Sequence, residues 1–230
     1  MKNKLIAVCI LSVFFLGCST STNEYYYKNP DKTDLIRYTV FSDTHFFAGH
    51  GLNKLKLTYG PNTYYTGDIY DLKNADKDDA STAENAVKAL RVKAGSRYIR
   101  GNHEIYAFGK GEKDEDYYVA DNGIIFTHGH YKIGYKIEEV KKWESKKAGT
   151  GFMKRKGRKL LEGIVSKPEK PKKKYIKNAV IMVKEHNKKY PNNQCHTIVF
   201  GHTHVENIFT KTVDGIRIIN VPRGISHLDL

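Results

Sequence analysis

Cysteine is nearly absent from this chain, with three in 230 residues: Cys9, Cys18 and Cys195. The first two lie in or just after an apolar N-terminal run. Cys195 is then alone in the rest of the chain, and one thiol makes no internal disulfide. His196 follows it, but a lone cysteine ahead of an apolar strand reads as a small buried hydrophobe and is given no role. Long hydrophobic runs are lacking too. The apolar stretch Leu5–Leu16 has 12 residues, where a membrane-spanning helix needs about 20. There is no internal repeat and no recognised base-reading motif. Acidic residues are in deficit, 25 against 39 basic ones, for a formal net charge of +14. The deficit is local: residues 131–190 hold 20 Lys/Arg and 6 Asp/Glu, which leaves 19 of each in the other 170 residues. The basicity therefore belongs to one segment and not to the whole chain. What remains is a globular composition, 40% hydrophobic and 12% aromatic, long enough for one domain with a substantial core.

The N-terminus reads as a targeting segment. Lys2 and Lys4 precede the Leu5–Leu16 run, which ends in Phe15-Leu16-Gly17-Cys18 and continues as Ser19-Thr20-Ser21-Thr22. This arrangement resembles the lipobox of bacterial lipoproteins, although those usually carry Leu three residues before the cysteine, where this chain has Phe15. A plain secretory signal and a short buried strand are the competing readings. The resemblance implies a signal peptide over 1–17, lipidation of Cys18, a tether over 18–34 and a domain over 35–230. It implies an exported lipoprotein anchored in a membrane of a bacterial cell envelope.

Within the domain, Leu35–Ser42, Tyr64–Asp68, Arg97–Gly101, Ile124–Thr127 and Thr197–Phe200 read as strands, each stopping at a polar cluster. Phe46–Asn62 reads as a loop and Glu112–Asp116 as an acidic one. Ser81-Thr82-Ala83-Glu84 has the form of a capping box. It would open a helix with Ala83, Ala86, Val87 and Leu90 on one face. Glu206–Val213 and Ile216–Val221 make a hairpin across Asp214-Gly215. In 131–190 the spacing predicts helices around Ile137–Trp143, over Phe152–Ile164 and over Lys173–Tyr190, with Ser166–Lys174 as a solvated lysine-rich loop.

The polar clusters carry the chemistry. In order they are Ser42-Asp43-Thr44-His45, Gly67-Asp68-Ile69-Tyr70-Asp71, Gly101-Asn102-His103-Glu104, Thr127-His128-Gly129-His130 and Gly201-His202-Thr203-His204. Carboxylate, amide and imidazole donors suit Mn, Fe or Zn. Asp68, with two oxygens and a charge, suits a bridge between two cations. Phosphoester hydrolysis uses two such ions, about 3.5–4 Å apart, to make a nucleophile from water and to clamp the phosphoryl oxygens.

The ordered series Asp-x-His, Gly-Asp-x-x-Asp, Gly-Asn-His-Glu, His and Gly-His-x-His resembles the calcineurin-like metallophosphoesterase family over about residues 36–204. The resemblance implies an α/β fold: a two-sheet β-sandwich flanked by helices, with 131–190 as an inserted basic helical segment. It implies one metal held by Asp43, His45 and His204 and another by Asn102, His128 and His202, with Asp68 shared. His103 would be the catalytic acid at the leaving oxygen, paired with Asp43 or Asp71; Asp71 could instead orient a ligand. His130 reads equally as a solvent-facing turn residue or a substrate contact. His50 and Glu104 are given no role. The implied activity is hydrolysis of phosphate mono- or diesters by a two-metal-activated hydroxide. The alternatives are a pyrophosphatase acting on a nucleotide-sugar lipid, a nuclease and a non-catalytic metal-binding lipoprotein.

Departures from the family bear on substrate. Leu72-Lys73 follows Asp71 where protein serine/threonine phosphatases have Arg-Gly, and Phe46 follows His45 where they usually have Gly. The insert matches in place the basic helices of the branch that cleaves UDP-diacylglucosamine, but that branch has Asp where this chain has His130. The match is one of architecture. Lys and Arg of the insert, with Trp143 and Phe152 among them, are either a solvated cover or a grip on an anionic phosphoester or membrane surface. Nucleic acid is a possible partner by charge alone.

Overall fold

Short runs of aromatic and β-branched residues supply the strands of two sheets. The computed structural model describes residues 23–45, 57–71, 77–104, 117–130 and 168–230. Strands β1 (Glu24–Lys28), β2 (Arg37–Ser42), β3 (Thr63–Tyr65) and β9 (Gly224–Asp229) form one sheet, in the order β1-β9-β2-β3. The other holds β4 (Tyr117–Ala120), β5 (Ile124–Thr127), β6 (Thr197–Phe200), β7 (Phe209–Val213) and β8 (Ile216–Asn220), in the order β4-β5-β6-β8-β7.

Strands β5 and β6 are buried at every position, as expected of parallel strands covered on both faces. One face meets the first sheet, where Tyr38, Val40 and Tyr64 join Phe126, Val199 and Ile219. Tyr64 and Phe126 stack with ring centroids 3.8 Å apart. Helix α2 (Lys173–Lys189) covers the other face through Ala179, Val180, Met182 and Val183. Helix α1 (Lys77–Ala94) covers the outside of the first sheet, setting Val87, Leu90 and Ala94 against Phe41, Tyr65 and Ile69. Each such buried side chain contributes about 1.5–3 kcal/mol. The result is the two-sheet α/β sandwich with flanking helices that the sequence predicts. Because β5, β6 and β8 run parallel, as do β2 and β3, each sheet delivers its parallel strands' carboxyl ends to a single edge.

Several elements differ in extent. Helix α1 begins at Lys77, so Ser81 and Thr82 lie inside it and do not cap it; the Ser-x-x-Glu spacing fits a helix interior equally well. Arg97–Gly101 is not a full strand. A 3-10 turn occupies Gly95–Arg97, and one bridge joins Tyr98 to Tyr65 before the chain turns into Asn102. Within the expected tether, Glu24–Lys28 pairs in parallel with β9. Asp214 and Gly215 both have positive φ, 52° and 75°, as a tight hairpin turn between β7 and β8 requires. The signal segment with Cys18, the acidic loop at 112–116, most of the loop at 46–62 and the expected helices around 137–143 and 152–164 lie outside the described residues. Among the described residues, no helix is long and apolar enough to cross a membrane.

Candidate metal centre

Each cluster follows a strand end or the Tyr98 bridge, and the backbone turns sharply there. Asp43, His45, Asp68, His202 and His204 all have φ between 50° and 63°. For residues with a Cβ this left-handed conformation costs roughly 1–2 kcal/mol each. Such cost is tolerated where the surroundings over-determine the backbone, commonly at functional sites. The glycines of the motifs have a steric reason. A Cβ on Gly101 would collide with the Asp68 carboxylate, and one on Gly201 would collide with Ser42 and Asp43. Glycine lets one ligand loop lie directly on the next.

Among the described residues, three groups of potential metal-binding atoms result: Asp43, Asp68, His128 and His202; Asp43, His45 and His204; and His45, Asp71 and His103. Asp68 Oδ2 lies 3.3 Å from His128 Nε2 and 3.9 Å from His45 Nε2, so it stands between the two expected donor sets. His202 Nδ1 is 3.1 Å from His128 Nε2, and Asn102 Oδ1 is 3.3 Å from the same nitrogen. On the other side His204 Nε2 is 3.2 Å from His45 Nε2 and 3.3 Å from Asp43 Oδ1. The structure thus brings together all seven residues expected as ligands. Asp43 Oδ2 accepts from the His202 amide at 2.7 Å, while buried Asp43 Oδ1 lacks a well-oriented hydrogen-bond donor.

The electrostatics suit cations. Burial holds His45 and His202 down at about 3, so both imidazoles are neutral with lone pairs available. Burial alone would also lower His128, but the Asp68 and Asp43 carboxylates raise it to about 9. Asp43 and Asp68 are buried, which disfavours their charge, yet His128 and neighbouring imidazoles hold both below the usual carboxylate range. An orphaned carboxylate oxygen among buried carboxylates and imidazoles fits divalent metal ions.

His103 stands apart from the first two groups. Its Nδ1 is 2.7 Å from Asp71 Oδ1, and its ring meets His45 edge-on at 4.5 Å. Between the two acids that spacing left open, the geometry pairs His103 with Asp71, because Asp43 is turned toward His202 and His204.

Most other neighbours of the site were not singled out by sequence. Thr66 O accepts from His128 Nδ1 at 2.7 Å, which fixes the tautomer with Nε2 facing the site. Asn220, closing β8, donates to the carbonyls of Phe200 and Gly201 and steadies the Gly-His-Thr-His turn. Tyr175, in the first turn of α2, packs edge-on against His202 at 5.2 Å. Arg223 donates to Thr44 O at 2.9 Å. His130 lies with its ring 4.7 Å from that of His128 and 5.4 Å from that of His202, an inward position that burial favours keeping uncharged. His130 belongs to one of the five clusters, and its inward position replaces the solvent-facing reading; the others follow no motif and need the fold.

No curated protein matches the chain. A family model described as calcineurin-like phosphoesterase matches residues 36–206, well over half of the chain and every one of the five clusters. With ligand blocks at strand ends of a two-sheet sandwich and donors that fit metal ions, the chain belongs to the calcineurin-like phosphoesterase family.

Proposed function

We propose that this protein hydrolyses phosphate mono- or diesters with a pair of divalent metal ions, and that it works as an exported lipoprotein held to a bacterial envelope membrane through Cys18. Family membership and the Asp/His clusters support a metal-dependent phosphoesterase. The observation that carries the two-metal reading is Asp68 Oδ2, standing between His128 Nε2 and His45 Nε2. Asp43, His45 and His204 would hold one ion and Asn102, His128 and His202 the other, with Asp68 shared. Mn, Fe and Zn suit these donors, and Mn²⁺ is the ion to supply in vitro. Bound there, the cations would activate water and neutralise the phosphoryl oxygens.

The chain's own groups do the rest. Asp71 holds His103 through Nδ1, which leaves Nε2 as the atom that gives a proton to the departing oxygen. The anchor rests on Lys2, Lys4, the Leu5–Leu16 run and Cys18. The basic segment 131–190 would add attraction to anionic lipid in a chain so anchored.

The deciding experiment strips metal from residues 19–230, restores Mn²⁺, and compares a generic phosphodiester with its monoester beside Asp68→Asn. Hydrolysis should appear with Mn²⁺ and fall by more than about a hundredfold in the variant, since even outer-sphere partners of a metal are worth 10–100-fold. Two bound ions with no turnover on either ester would sink the hydrolase reading and favour a binding protein. In cells, labelled fatty acid should enter the wild type and not Cys18→Ala; acylation that persists in the variant would overturn Cys18 as the lipidated residue.

A further inference from the structure

Glu104 ends the Gly-Asn-His-Glu block and is completely buried, at 0% exposure. Its Oε2 accepts from the Asp68 amide at 3.0 Å, the Gly101 amide at 3.3 Å and the Tyr98 hydroxyl at 2.7 Å. Its Oε1 accepts from the Tyr70 amide at 2.9 Å. Two of these donors belong to the loop that carries Asp68. The other two lie on the segment that leads into Asn102. From the opposite side the His103 amide donates to Asp68 Oδ1 at 2.7 Å. Between the two loops there is no room for a side chain, because a Cβ on Gly67 would stand 2.5 Å from Gly101 N. The loops therefore touch backbone to backbone, and Glu104 ties them from behind.

We propose that Glu104 is a positioning residue of the metal centre, fixing the Asp68 and Asn102 loops at the separation that lets both side chains reach one ion. The proposal rests on the metallophosphoesterase reading above. The three amides can only donate, and the Tyr98 hydroxyl donates too, a set that an ionised carboxyl matches by accepting at both oxygens. Burial and the Asp68 charge push Glu104 up to about 7, and the hydrogen bonds from Tyr70, Tyr98 and Gly101 oppose that rise. Glutamine could keep its carbonyl toward Asp68, Gly101 and Tyr98, but its amide would then face the Tyr70 N–H, donor against donor. Aspartate is one methylene short of spanning both loops. Buried donors left unmatched each cost free energy, and here the cost would fall on ligand geometry.

The test is Mn²⁺ titration calorimetry on the metal-stripped full chain, with Glu104→Gln, Glu104→Asp and Tyr98→Phe against wild type, each checked for thermal midpoint and circular dichroism. The expected result is a 10–100-fold loss of Mn²⁺ affinity in both Glu104 variants, the range for partners that orient metal ligands. Tyr98→Phe should lose a few-fold, and kcat should fall with little change in KM. Mn²⁺ affinity equal to wild type alongside a lowered midpoint would overturn the proposal and leave Glu104 a purely structural tie. Should the Glu104 variants fail to fold, Tyr98→Phe decides the matter, since it deletes one hydroxyl and keeps the ring. Wild type that binds Mn²⁺ without hydrolysing esters would sink the proposed activity alone; wild type that binds no Mn²⁺ would overturn both.

Discussion

His103 and Asp71 are 2.7 Å apart at the edge of the centre, and their chemistry can be separated from the metals' by choice of leaving group. With an alkyl leaving group, which needs a proton, His103→Ala should slow hydrolysis by about a hundred- to ten-thousandfold. A nitrophenyl ester, whose leaving group departs unprotonated, should lose far less; equal losses on both esters would assign His103 another role. Asp71→Asn should shift both rates in the same direction by less. At His128 the folded pKa is raised to about 9 in the metal-free protein. Its proton stabilises that form fully below the unfolded value near 6.5, and the contribution is lost as pH rises through about 9. A metal needs the neutral ring, so binding must expel the proton. Mn²⁺ affinity should therefore climb with pH, by up to about tenfold per unit, and level off near pH 9; calorimetry at pH 6, 7 and 8 checks this, and a flat profile would contradict it. The ligands at this scale were legible because four of the five blocks join a donor to a glycine, and two of those glycines, Gly101 and Gly201, clear space for a neighbouring ligand. The choice of Asp71 over Asp43 was not, since spacing along the chain carries no information on which way a carboxylate turns. The role of Glu104 was hidden for a related reason: its donors, three amides and one tyrosine hydroxyl, come from two separate segments of the chain.

Helix α2 supplies its apolar stripe to β6 and β8 through residues such as Met182, only 2% exposed. Met182→Ala should cost about 2–5 kcal/mol in urea unfolding. Val92→Ala on α1, where the side chain is 84% exposed, should change stability by less than about 0.5 kcal/mol. A small effect at Met182 would mean that α2 is not seated as described. Elements were readable where burial imposed a pattern. Ile124–Thr127 and Thr197–Phe200 are buried throughout, and apolar but for Thr127 and Thr197, because both faces are covered, and Lys173–Lys189 keeps a one-sided stripe. Strand β1 was not readable. Its Glu-Tyr-Tyr-Tyr-Lys sequence alternates between exposed and half-buried, and its ladder partner among the described residues is β9, at the far end of the chain. The start of α1 was misplaced because a capping pattern has the same spacing as an ordinary helical turn.

Across the molecule, the centre draws on both sheets. Asp43, His45 and Asp68 follow β2 and β3, whereas His128, His202 and His204 follow β5 and β6. Metal should therefore stabilise the whole sandwich and not a single loop. Mn²⁺ at a hundred times its Kd should add about 2.7 kcal/mol, read as a rise in thermal midpoint that EDTA reverses and Asp68→Asn largely abolishes. A midpoint indifferent to EDTA, with metal demonstrably bound and removed, would contradict this coupling. The two-sheet sandwich itself was legible only through the family resemblance that the ordered clusters carry. The pairing of sheets through Tyr64 on Phe126 was not, because it depends on how two surfaces meet.

His202 donates its amide to Asp43 across 159 residues of chain, and this separation bears on biosynthesis. A nascent polypeptide that has emerged only as far as Phe200 already exposes Asp43, His45, Asp68, Asn102, His103 and His128, but it lacks the last two imidazoles. On the proposed two-metal reading, neither donor set would then be complete. Ions held there would be captured tightly only after synthesis had passed His204, so metal loading would come late, after the rest of the centre had been made.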